Sequence, residues 1–462
     1  MATIRISLAK CLLMAGLLFS GVFLAGGAAH GAIACNEAAG YSAKPIFIAN
    51  AATPNIMLLF SNDHTNFYAG YGINTTYNDE VEYYGYFDPD KEYVYDQNYF
   101  RPVGYMTSGH QVTASGRWSG NFLNWATMCH ADFVRKALTG GKRDIDSSDH
   151  TILIRGDIPT DGTSLPGHEW IRTITNAQLY TPFSGTQTFT NRGVTMVRSG
   201  GTTYQVRVEV CNETVGVEKN AVYYENGKVW KPEGLLQSFR DKVKFGLMTY
   251  SYAKDDAGGV VRVNIHDISD EFNPTGGTIA NSDGIAGFIN DFQQKGWDPV
   301  AELFYEAVKY FRGLTPTPEF CVSSPDGGFQ VLCNQGGQTK NWTDPIESWC
   351  QNNFVIIIND EYPSRDSDKV PGSKWPTALS NKMSIDVKYW ANLIGDYEGI
   401  TNTYRSVGQV GNGPVDNSCT PKLIGNLGEV RGICPSEGDD EGSYYSAALA
   451  YYAHVSDLRD SA

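Results

Sequence analysis

The stretch Asn55-Ile56-Met57-Leu58-Leu59-Phe60-Ser61-Asn62-Asp63-His64-Thr65 most constrains what this chain can fold into. Five apolar residues run without a break and stop at a small polar cluster. A short continuous apolar run ended by turn-forming residues suits a strand buried on both faces. In an open α/β sheet, ligands gather just beyond the carboxyl ends of such strands. Ser61, Asn62, Asp63 and Thr65 therefore fall where oxygen ligands are useful to a hard cation. The same cluster also reads as ordinary turn chemistry that binds nothing.

A second run, Phe354-Val-Ile-Ile-Ile358, is ended by Asn359-Asp360-Glu361 and reads as another fully buried, central strand. Val243–Tyr250 and Val260–Ile265 also read as strands. Helices are expected over 119–140, 283–294, 298–311 and 443–455. Ser119 caps the first and Gly140 stops it. Asp298 caps the third, with Pro299 at its first position. Glu302 and Glu306, one turn apart on that helix, read as a solvated face. Alternating strands and helices predict an α/β fold with a doubly wound, mostly parallel sheet. Two stretches interrupt that pattern. Residues 66–117 are rich in Tyr and Gly and read as an aromatic-packed loop with short strands; exposed tyrosines there would also suit carbohydrate. Residues 142–235 read as a β-rich insertion. Within it Arg155-Gly156-Asp157 spells the integrin-type tripeptide.

The amino terminus is set apart. Arg5 and Lys10 precede the apolar run 11–29, and cleavage after Ala34 or Gly31 gives residues 1–34 the layout of a secretory signal peptide. An uncleaved anchor is the competing reading. Cys35 follows Ala34 directly, as in a lipoprotein, although Ala32 stands where such signals usually carry Leu. The formal net charge is −15, and removing this segment makes the chain more acidic, so nucleic acid is excluded as a partner. Nine cysteines are present, and eight follow the signal: Cys35, Cys129, Cys211, Cys321, Cys333, Cys350, Cys419 and Cys434. An even number in an exported chain predicts at least three disulfides, with Cys419–Cys434 the best single pair. No paired Cys-x-x-Cys spacing supports zinc. Nor is there a Gly-x-Ser-x-Gly, a His-Glu-x-x-His or a phosphate loop, which argues against an enzyme.

Three segments carry a resemblance: Asn55–Phe60; Tyr84-Gly-Tyr-Phe-Asp-Pro-Asp-Lys91; and Ser119-Gly-Asn-Phe-Leu-Asn-Trp-Ala-Thr-Met128 followed by Arg135-Lys-Ala-Leu-Thr-Gly-Gly141. Together they resemble the amino-terminal half of the PilC/PilY family, type IV pilus biogenesis factors and tip-associated adhesins. The resemblance runs from about residue 50 to 462. It implies a von Willebrand factor type A-like domain, minor pilins and the pilus tip as partners, a host or abiotic surface as target, and a location from periplasm to cell surface. The family's chain continues into a β-propeller absent here, so a truncated or split half acting with a separately encoded propeller is a further reading.

The resemblance also implies a metal-ion-dependent adhesion site for Mg²⁺, Ca²⁺ or Mn²⁺. Matched residue by residue, Ser61, Asp63 and Thr65 fall on its first loop. Asp298 stands where the family usually has Thr, and Asp360 takes the acidic position of a third loop. The first loop lacks the family's leading Asp, so the site is degenerate. A shift by one dipeptide would instead make Asp63 the leading acid, Thr65 the hydroxyl and Phe67 the third place.

Overall fold

The Asn55–Phe60 strand has parallel partners on both sides, Lys244–Thr249 and Asn353–Ile358. Val260–His266 adds an antiparallel edge beyond Lys244–Thr249. The strand order is therefore 260–266, 244–249, 55–60, 353–358. These relations come from a computed structural model that describes residues 52–107, 109–158, 169–254, 258–294, 296–333, 342–359, 363–435 and 438–459. Alternation along the strand sends Met57 and Leu59 to one face, where they meet the helices Val300–Phe311, Val387–Tyr397 and Tyr445–Val455. Leu58 and Phe60 point to the other face, against the helices His130–Thr139 and Ile285–Asp291. A strand apolar on both sides thus has helices on both sides, as its composition requires.

The Asn353–Ile358 strand corrects an expectation. It is the edge of this sheet among the described residues, not a central strand, and Phe354, Ile356 and Ile357 are 51%, 43% and 38% exposed. Only Val355 and Ile358 pack onto the two cores. The apolar run reports what the strand needs covered; it does not report which element covers it.

The Tyr-rich segment and the β-rich segment, expected as separate interruptions, share one six-stranded sheet. Its order is Trp118–Ser119, Lys91–Asp96, Tyr99–Tyr105, Arg207–Val210, Thr151–Ile154, Arg143–Asp146. The hairpin 91–105 turns through Gln97 and Asn98, both with positive φ, the geometry that matches strand twist in a two-residue turn. A four-stranded antiparallel sheet, 170–205, packs against the same core. Tyr83, Tyr86 and Tyr93 are buried there with Phe87, Phe100, Trp118 and Phe122, so these tyrosines are core and not a carbohydrate platform. Phe87 and Tyr93 meet edge to face at 5.3 Å, a favourable aromatic geometry. Tyr84 stays half exposed under the Lys136 ammonium.

The helix expected over 119–140 is two helices, Gly120–Thr127 and His130–Thr139. Ser119 accepts from Phe122 N as a cap, and Gly140 ends the second helix in the left-handed region at φ 88°. The break falls at Met128 and Cys129, both extended. Asp132 accepts from Cys129 N at 2.9 Å, so the acid three residues on restarts the helix. Arg135 is fully buried; it donates to the Ile289 and Phe292 carbonyls and stacks 4.2 Å from the Phe292 ring centre.

Two disulfides form among the described residues, Cys419–Cys434 and Cys321–Cys333. Cys129, Cys211 and Cys350 are thiols, which corrects the expectation that they pair; Cys35 lies outside the described residues. Cys129 is enclosed in the core beside Asp132, where burial and the neighbouring carboxylate hold its thiol protonated.

The integrin-type reading is also corrected. The Arg155 guanidinium is fully buried and donates to the carbonyls of Thr127, Gly193 and Thr195 and to Asn191 Oδ1. Gly156 N donates to Asp132 Oδ1 at 2.7 Å, and Asp157 alone faces solvent. A tripeptide whose cation is enclosed offers no ion pair to a receptor. Arg155→Ala is expected to destabilise the fold by about 3 kcal/mol or more, since four buried acceptors lose a charged donor. Asp157→Ala should leave stability within about 0.5 kcal/mol of the parent in urea titration. Equal losses for the two would contradict this placement.

Candidate functional site

The central strand hands its carboxyl end to a buried polar cluster. The last ladder bond runs from Ser61 N to Ile358 O at 2.8 Å. Ser61 Oγ then donates to Asp298 Oδ1 at 2.7 Å and accepts from Asp63 N at 3.1 Å. Asp63 accepts from Thr65 N at 2.9 Å, and its other oxygen is 2.8 Å from His64 Nδ1. It thereby caps the short turn His64–Phe67. Asn66 closes the loop by donating to Ser61 O.

Asp298 joins three segments. Its N–H donates to Ser364 Oγ at 3.0 Å, and its carbonyl accepts from Val300 N and Ser364 N. The helix begins at Val300, one residue later than expected, with Pro299 at the cap position. Of the candidate ligands, then, Ser61 and Asp298 touch, and Asp63 is held on the same loop with both oxygens engaged inside it. Thr65 contributes its backbone N–H to Asp63. Asp360 lies outside the described residues. Among the described residues no three His, Cys, Asp or Glu side chains converge on one ion position.

The sequence reading missed what lies beneath. Tyr250, following the Lys244–Thr249 strand, donates from its hydroxyl to Asn359 Oδ1 at 2.7 Å. Burial raises its phenol well above the ordinary value, reinforced by the charges of Asp298, Asp366, Asp63 and Glu302. Four acids therefore act on one tyrosine. The same strand-end rule that selected Ser61 could have selected Tyr250. Ser364 and Asp366 carry no local pattern that would have found them. Glu302 and Glu306 are fully buried, which corrects the solvated-face reading. Burial raises both carboxyls. Glu302 accepts from Gly258 N, while Glu306 accepts from Thr317 N and sits 3.6 Å from Lys309 Nζ.

The described fold is a mixed α/β assembly of several sheets with buried acids near the carboxyl edge of the central one. Family models show where it belongs. The model "PilY1 homolog, second domain" matches residues 245–298 and 289–453, and "PilY1 homolog, small alpha/beta domain" matches residues 74–223. The chain belongs to the PilY1-homolog family. Two proteins of Xylella fastidiosa (strain Temecula1 / ATCC 700964), each named "Type IV pilus biogenesis factor PilY1 homolog", are similar to it. One is 29% identical, covering 86% of this chain and 34% of the relative. The other is 30% identical, covering 90% and 40%. The chain thus spans well under half the length of these relatives. No solved structure matches it.

Asp366 gives the fold a pH dependence. Burial outweighs the hydrogen bonds from Ser443 and Ala301, and the Asp368 charge adds to it, so the carboxyl is pushed up to about 8. The folded chain then holds a proton that the unfolded chain has lost above about pH 4. Stability should fall from about pH 4 to about pH 8 and level off above that. Asp366→Asn, neutral throughout, removes this slope. Its urea midpoint should gain on the parent's between about pH 5 and about pH 8; parallel profiles would refute the assignment.

Proposed function

We propose that this chain is an exported, non-enzymatic binding and assembly module of type IV pilus biogenesis, acting at the pilus tip in surface attachment. The observation that carries the reading is similarity over 86–90% of the chain to proteins named as type IV pilus biogenesis factors. The sheet supports a von Willebrand factor type A-like core: one antiparallel edge, parallel strands after it, and a Ser/Asp loop at the end of the central strand. The buried acids give no support to catalysis, since Asp63 and Asp298 hold loops together and Asp366 and Glu302 are enclosed. Minor pilins and a separately encoded propeller are the partners this reading implies. Deletion of the gene should reduce surface piliation, twitching or attachment, and the same gene in trans should restore them. Unchanged piliation, twitching and adhesion, with no paralogue expressed, would reject the role.

A second reading concerns the same cluster. Ser61 Oγ and Asp298 Oδ1 are adjacent oxygens, as two ligands of one small hard cation are. Mg²⁺, Ca²⁺ or Mn²⁺ would be held there by Ser61 and Asp298 with Asp360, on a loop shaped by Asp63 and Thr65. Such an ion supplies an open position for a partner's acidic group. Binding to the folded state alone raises the melting temperature by mass action. Millimolar Mg²⁺, Ca²⁺ or Mn²⁺ should therefore raise it relative to chelator, and Asp298→Ala should abolish the rise. Superimposable melting curves for the parent protein in chelator and in each metal would overturn the cation.

A further inference from the structure

The two edges of the central sheet are finished differently. At the 260–266 edge, Leu332 N donates to Val261 O at 2.9 Å, and the Cys321–Cys333 loop packs onto Val260. That edge is covered by the chain's own disulfide-closed loop. At the opposite edge, the ladder bonds Asn55 N to Asn352 O and Ser61 N to Ile358 O fix the register of the Asn353–Ile358 strand. In a parallel ladder at this register, residues 354, 356 and 358 turn their N–H and C=O groups inward. Asn353, Val355 and Ile357 turn theirs outward, and among the described residues these meet no backbone partner.

Bare edges normally carry a protective device: a lysine, a proline, a bulge or a covering loop. Gln351–Ile358 has no charged residue and no proline, and its pairing with Asn55–Phe60 is unbroken. Phe354, Ile356 and Ile357 stand exposed along it, with Trp349 84% exposed just before it. Beside the start of the strand lies a cavity of about 890 Å³, lined by Phe304, Phe311, Trp349, Phe354, Ala453 and Leu458.

We propose that the Asn353–Ile358 edge is an acceptor site for one extended, uncharged, apolar strand of a partner polypeptide. The outward backbone groups at 353, 355 and 357 require a strand, because helices and lipids cannot continue a ladder. Exposed apolar side chains on both faces require alternating apolar residues that extend the two helical layers outward. The cavity takes a bulky apolar or aromatic side chain at one end of the incoming strand. A second copy of this chain fits less well, since its net charge of −15 repels its own kind. The proposal stands on this edge alone and is independent of the pilus reading.

The test uses the full chain and a fluorescein-labelled peptide with the sequence Asn-Ile-Met-Leu-Leu-Phe of residues 55–60, the strand that pairs with the inner side of Asn353–Ile358, flanked by lysine pairs. A control peptide of equal charge is N-methylated at alternate residues and cannot donate to a ladder. Fluorescence polarisation should show saturable binding of the first peptide and at least tenfold weaker binding of the second. Ile357→Lys and Ile356→Lys, both at exposed positions, should weaken binding at least tenfold while circular dichroism stays unchanged. Equal binding of both peptides, or no binding by either, would overturn the proposal. So would a concentration-dependent dimer of the unmixed chain that Ile357→Lys dissolves, since the occupant would then be a second copy.

Discussion

The structure depends on enclosing one strand. Met57, Leu59 and Phe60 have no exposed surface, and no single layer can achieve that. The strand needs ladder partners on both edges and helices on both faces. These come from chain positions almost 200 and 300 residues away, at 244–249 and 353–358. Non-local parallel pairing of this kind gains nothing until long loops have closed. The intervening chain is therefore not free to stay loose; it condenses into its own sheets and aromatic core between the first and second strands of the central one.

Buried arginines tie the pieces. Helix and loop ends leave carbonyls unsatisfied, and a guanidinium carries five donors in one rigid fork. Arg135 joins the His130–Thr139 helix to the end of the Ile285–Asp291 helix. Arg143 donates to the Pro232 and Gly277 carbonyls, and Arg172 to the Gly72 carbonyl. Arg262 meets Asp326 at 2.6 Å with both side chains about 1% exposed. Most of these contacts are to neutral carbonyls that would otherwise be buried without a donor. Their worth is the avoided desolvation penalty more than ionic attraction.

What was legible in the sequence follows from range. Features decided within one turn or one strand could be read: the Ser119 cap, the Gly140 stop, the apolar run 56–60, and the Cys419–Cys434 pair closing a short loop. Features decided by distant chain could not. Phe354–Ile358 reads the same whether its outer edge is covered or bare. Glu302 and Glu306 have helical spacing that suits a solvated face, and only Gly258 and Thr317, arriving from other segments, make burial tolerable. Arg155-Gly156-Asp157 looks like a recognition loop until the 187–198 hairpin closes over its arginine. The candidate site divides the same way: Ser61, Asp63 and Asp298 stand at element ends, whereas Ser364 and Asp366 lie in a loop without periodicity.

Burial of the central strand leaves an acidic cluster to be settled beside it. Asp63, Asp298, Asp366 and Glu302 are all buried, and each raises the Tyr250 phenol. Carboxylates enclosed together would repel if all were charged and unpaired. The chain relieves the repulsion in two ways. Asp63 and Asp298 accept short bonds, from Thr65 N and from Ser61 Oγ. Burial raises the Asp366 and Glu302 carboxyls above the usual range, so each holds its proton to higher pH. Glu302 accepts from Gly258 N and so ties the helix Val300–Phe311 to the segment before the Val260–His266 strand without adding a further buried anion.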